Sequence, residues 1–166
     1  TVLGMGVPAM FSAERRSLVN QAMNDLIRVH QTCMSLQREM TTRGIDGQVS
    51  LTITTSGADG PTVVVRTNET LPAKMDLAYR FGQVTPPVPA LGISNPIAIN
   101  SIGFITSVTP DPLNPLPATI TWTYEKSTGF IAGTAQTLTF QAMPIGVTFK
   151  LQRKIVFSQY GYVEVP

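Results

Sequence analysis

From residue 11 to residue 43 the chain carries neither proline nor glycine, and no other stretch of comparable length is free of both. Within it, Val19, Ala22, Leu26, Val29, Cys33, Leu36 and Met40 recur at alternating spacings of three and four. That spacing places them on one stripe of a helix, a heptad seam. Leu18, Met23, Ile27 and Met34 widen the stripe. Ser12 reads as the N-cap, Glu14 falls in the first turn, where the helix dipole favours a carboxylate, and Gly44 is a C-terminal stop. The pattern predicts one helix over 12–44. At about 1.5 Å per residue it would run roughly 45 Å. That is longer than a domain built from the remaining residues is wide. Part of the helix is therefore expected to project, or to lie along a neighbour.

Residues 1–11 read as an apolar arm, in which Val2, Leu3, Met5, Val7 and Met10 are candidate contact residues. Gly4-Met5-Gly6-Val7-Pro8-Ala9 fits the dinucleotide-binding pattern G-x-G-x-x-A. The pattern needs a strand before it and an acidic residue ending a second strand about 20 residues on. Only Thr1, Val2 and Leu3 precede the glycines, and Asp25 lies inside the helical pattern. A cofactor site is not expected here.

From Gln48 the period changes to two. Val49, Leu51 and Ile53 alternate with Ser50, Thr52 and Thr54, and Ile120, Trp122 and Tyr124 alternate with threonines. Residues 56–61 form a turn into a strand over 62–67, which predicts a hairpin. Further strands are expected over 75–81, 97–108 (one or two), 130–140, 147–156 and 159–165. About eight strands separated by Gly/Pro turns predict, over 45–166, an antiparallel all-β sandwich or barrel, jelly-roll-like. With the helix in front, the fold class is α+β.

Charge sharpens the reading. Between Phe81 and Phe149 only Asp111, Glu125 and Lys126 are charged, although 13% of the whole chain is. The gap includes the Pro-rich stretches 85–96 and 109–117, read as surface loops that hold Val88, Leu91 and Ile93. Loops of a free monomer normally carry charge. Contact surfaces shed it, because desolvating charge is costly. The net charge of +2 is too small to argue for nucleic acid. Arg15, Arg16, Arg28, Arg38 and Arg43 alternate with Glu14, Asp25 and Glu39, as on a solvated helix face, and Lys150, Arg153 and Lys154 form a second small basic patch. Direct nucleic-acid contact is not expected. No secretory signal and no membrane-spanning run is read in the sequence.

Chemistry is sparse. His30 is the single histidine and Cys33 the single cysteine. At i,i+3 on a helix they are neighbours, yet no orienting partner or nucleophile signature accompanies them. Both are read as packing residues. No metal, phosphate-loop or nucleophile-elbow motif is present. Asp111 and Glu125 could form a carboxylate pair but read better as loop ends, and the sequon Asn68-Glu69-Thr70 reads as chance.

An apolar arm, a long helix and a Thr-rich, charge-poor β domain together resemble the general style of virus and bacteriophage particle proteins: decoration, minor capsid, head–tail connector and tail components. The likeness is one of style. It implies a non-enzymatic structural protein of a large assembly, partnered by copies of itself and other particle subunits, without cofactor, metal or membrane. The expected location is the virion, assembled in the host cytoplasm. The competing expectation is a carbohydrate- or receptor-binding module, as on an adhesin or fibre tip, with Trp122, Tyr124, Tyr160 and Tyr162 on its face.

Overall fold

The computed structural model describes residues 2–54, 62–81, 97–98, 105–110, 119–142 and 151–166. Its fold class is α+β: one long helix and two antiparallel sheets.

Helix α1 runs Val2–Thr42, 41 residues, about 60 Å at 1.5 Å per residue. It begins ten residues before the predicted cap. Ser12 is therefore interior to the helix, and Glu14 lies well beyond the first turn. The 1–11 arm is not a separate extended segment, because its backbone from Val2 on is helical. Gly4 and Gly6 lie within this helix rather than at a strand-to-helix turn, so the dinucleotide fingerprint lacks its required setting. The helix ends as a Schellman motif. Gly44 takes φ +73°, its N–H donates to the Thr41 carbonyl at 3.1 Å, and the Ile45 N–H donates to the Met40 carbonyl at 2.9 Å.

The first sheet has the order β3-β2-β1-β5, with β1 Val49–Thr54, β2 Thr62–Thr67, β3 Ile97–Ala98 and β5 Thr119–Thr123. The second has the order β4-β6-β7-β8, with β4 Ile105–Pro110, β6 Gln136–Ala142, β7 Leu151–Phe157 and β8 Val163–Glu164. Each is three strands of five to seven residues plus a two-residue edge piece. Each ends in an edge on both sides, so neither closes into a barrel among the described residues.

Period-two alternation decides which face is inside. Register sets Leu51 between Val65 and Trp122, and Ile53 between Val63 and Ile120, so all of them share the buried face. The other face carries threonines, where the hydroxyls of Thr52 and Thr121 hydrogen-bond at 3.0 Å. In the second sheet Leu138 opposes Ile155, and Phe140 and Phe157 lie on the same buried face.

Three expected strands differ. Residues 159–165 turn through Gly161, at φ +92°, and only Val163–Glu164 are strand. Residues 75–81 form no strand: a 3-10 turn over Ala73–Met75 leads into helix α2, Leu77–Phe81. Met75 and Leu77 are buried, as their alternation implied. However, Pro72 at φ −55° opens a helical turn, and its carbonyl accepts from the Met75 N–H at 2.8 Å. Residues 130–135 precede β6 rather than opening it. There Ile131 makes an isolated antiparallel bridge to Tyr124, and Gly133 turns the chain at φ +93°. The turn over 56–61 and the strand start at 147–150 lie outside the described residues.

The helix supplies the third wall of the core. Val19, Ala22, Met23, Leu26, Val29, His30, Cys33, Met34, Leu36, Gln37 and Met40 are all buried. At 100° per residue they span an arc of roughly 160°, wider than a two-stranded seam needs. One helix can thus meet both sheets. Gln37 fixes its end to β1: its amide nitrogen donates to the Gly47 carbonyl at 3.1 Å, and its oxygen accepts from the Val49 N–H at 2.7 Å. This buried side chain does the work of a backbone pair, so both of its polar atoms are satisfied.

Candidate functional site

The single histidine, cysteine and tryptophan meet at one place. His30 and Cys33 stand one turn apart on α1, and Trp122 and Tyr124 stand two apart at the end of β5, so each pair shares a face. Phe157 of β7 completes the junction. Its ring lies 4.8 Å from the His30 ring, edge to face, and 5.4 Å from Trp122. The His30 ring is 5.5 Å from Tyr124 and 6.2 Å from Trp122. Helix and both sheets touch through these residues.

The Tyr124 hydroxyl is the hub. The Trp122 indole N–H donates to it at 2.9 Å, and it lies 2.8 Å from His30 Nδ1. Either the phenol donates to a bare Nδ1 or a protonated Nδ1 donates to the phenol. His30 Nε2 has no hydrogen-bond partner among the described residues. The second tautomer leaves Nε2 as a bare acceptor. The first strands an N–H donor in an aromatic cage.

Burial sets the protonation states. It lowers the His30 pKa to about 4 and raises Tyr124 well above the phenol range. It also raises the Cys33 thiol far above its usual value, against a smaller lowering by the Tyr124 hydrogen bond. At neutral pH all three groups are uncharged. A thiol nucleophile acts as thiolate, and Cys33 is both protonated and fully buried. The fold does bring Cys33 and His30 together in the core, and burial disfavours the charged form of each.

The sequence-derived contact set divides in two. Val19, Ala22, Leu26, Val29, Cys33, Leu36 and Met40 are buried against this chain's own sheets, so the seam is not a free surface for another subunit. An amphipathic stripe has no means of naming its partner, and here the nearest apolar surface is intramolecular. Val2, Leu3, Met5, Val7 and Met10 lie on α1 with their side chains outside the described residues, as Val88, Leu91 and Ile93 are entirely.

The aromatic face divides likewise. Trp122, 3% exposed, and Tyr124 are core, which removes them from any ligand platform. Tyr160 and Tyr162 are 68% and 52% exposed, in the turn joining β7 to β8. Glu125 is exposed and accepts from Thr128 at 3.2 Å, and Asp111, the other carboxylate of the candidate pair, lies outside the described residues. Among the described residues no group of three His, Cys, Asp or Glu side chains could hold a metal ion.

Part of the helix's basic face is locally engaged. Arg28 pairs with Asp25 at 2.8 Å, and Arg43 and Arg80 share Glu39, tying α2 to α1. Arg38 donates to the Thr128 carbonyl at 3.1 Å and covers the Phe130 ring. Arg153 and Lys154 are exposed on β7, and Lys150 lies outside the described residues. No described helix is long and apolar enough to cross a membrane. No protein-family model matches the chain, and no curated protein or solved structure is significantly similar to it.

Proposed function

We propose that this chain is a non-enzymatic structural subunit of a large assembly, a virus or bacteriophage particle component, acting through contacts with copies of itself and other subunits. Decoration, minor capsid, connector and tail roles all fit. A jelly-roll-like sandwich and a virion location belong to the same proposal. The observation that carries it is the charge-poor surface. In the charge-poor stretch the exposed residues include Thr119, Thr121, Ser127, Thr128, Gly133, Thr134 and Ala135, with Glu125 and Lys126 the charged ones among those described. A surface of threonine, serine and small residues costs less to desolvate against a neighbour than a charged one does. The sealed, neutral state of Cys33 and His30 also favours a structural role over nucleophilic chemistry. The contacts are assigned to the N-terminal part of α1 and to the Pro-rich stretches, since the seam is used internally.

Sedimentation of the native source material, followed by mass spectrometry, tests this. The chain is expected to travel with a megadalton particle at fixed stoichiometry. Recovery at the mass of a monomer or small oligomer would overturn the assignment.

The exposure of Tyr160 and Tyr162 favours one second reading, a carbohydrate- or receptor-binding module. Flat exposed rings suit stacking on a sugar face. Under that reading glycan binding is lost on Tyr160→Ala and unaffected by changes in residues 2–10.

A further inference from the structure

We infer that His30 is an acid-sensitive latch: protonating its imidazole loosens the packing of α1 between the two sheets. The inference rests on the geometry of the junction and is independent of the assembly proposal.

The ring is fully buried where three elements meet. The other titratable groups at the junction are Cys33 from α1 and Tyr124, just past β5, both held neutral by burial. From β7 it meets Phe157, and the core-facing residues Val49, Leu51 and Ile53 of β1 and Leu138 and Phe140 of β6 are apolar. The charged residues on the packed elements stand away from the core. Arg28 is exposed and paired with Asp25 on the outer side of α1, and Arg153 and Lys154 are exposed on β7. No described carboxylate lies at hydrogen-bond distance from the imidazole.

A second proton would make both ring nitrogens donors. Nδ1 can give its hydrogen to the Tyr124 hydroxyl, but among the described residues Nε2 has no acceptor for its own. The surrounding rings offer a weak cation–π attraction. A cation sealed from water without a counter-ion costs far more than that attraction returns. The charge is therefore relieved by opening the junction to water.

The direction in pH follows. The folded pKa of about 4 lies below the ordinary 6.5. Stability is fully present above about pH 6.5, falls as pH drops towards 4, and levels off below that. Two and a half pH units correspond to about a 300-fold fall in the folding equilibrium constant.

The single histidine and single tryptophan make the test specific. The His30 ring signal in NMR of the intact folded chain gives its titration directly, and Trp122 emission reports opening of the junction. Expected is a ring that stays neutral down to about pH 5, with a red shift of Trp122 emission as pH falls from there towards 4. In His30→Gln, which cannot take the proton, the red shift should be missing from that window and the urea midpoint flatter with pH. A ring titrating near 6.5 in the folded chain overturns the latch, as does a variant whose pH profile parallels the parent. If His30→Gln does not fold, the NMR titration of the unmodified chain still decides.

Discussion

Two pairs of aromatic residues share one spacing and meet opposite fates. Trp122 and Tyr124 flank a threonine, and Tyr160 and Tyr162 flank a glycine. The first pair is sealed between helix and sheets, and the second stands in solvent. Thr123 keeps β5 extended, so its neighbours point to one face, and β1 on one side holds that face towards α1. Gly161 takes φ +92°, a conformation that breaks the strand and turns the chain out. A Cβ at that position would sit 2.5 Å from the Phe130 ring, so the turn also depends on the close approach that glycine allows. The middle residue, rather than the aromatics, decides what the pair can do.

The contrast breaks most sharply at the buried pair. Trp122→Ala removes the indole that fills the space between β5 and Phe157, and should cost about 3–5 kcal/mol in urea unfolding. A loss below 1 kcal/mol would mean that the junction does not carry the core. Tyr124→Phe keeps the volume and deletes only the hub oxygen. The Trp122 N–H and His30 Nδ1 are then left unpaired, and about 2–3 kcal/mol should be lost, with little change in the emission wavelength of Trp122. Near-neutral behaviour would show that water replaces the hydroxyl. The exposed pair should respond least: Tyr160→Ala and Tyr162→Ala are expected to stay within about 0.5 kcal/mol of the parent. A larger loss from either would place the β7–β8 turn within the cooperative core.

The acid sensitivity of His30 sharpens the comparison from the other side. Tyr160 and Tyr162 stand in solvent. His30 reaches water only when the junction opens, so its titration is tied to structure.

Much of the architecture was legible. The Pro- and Gly-free run announced the helix, and the stripe of Val19 to Met40 marked its buried face. The switch to period two at Gln48 announced the sheets, and the alternation in 49–54 and 119–124 named the inward residues. The helix start was not legible, because Pro8 and the two glycines argue locally for an arm while the helix runs through them. The turn at 73–81 was not legible either. Met75, Leu77 and Phe81 keep strand-like spacing, but Pro72 and the Arg80–Glu39 ion pair favour a helical path.

The sequence by itself determined the kind of each long element and which side of it is apolar, because those follow from the periods 3.6 and 2.0 and from proline and glycine. It also determined the scarcity of charge. Only the tertiary structure decided what each apolar side meets. The seam could have closed on a second copy, and instead it closes on Trp122, Phe157 and the two sheets. Burial is a property of neighbours brought together from positions 30, 33, 122, 124 and 157, and desolvation by those neighbours is what makes His30 a weak base.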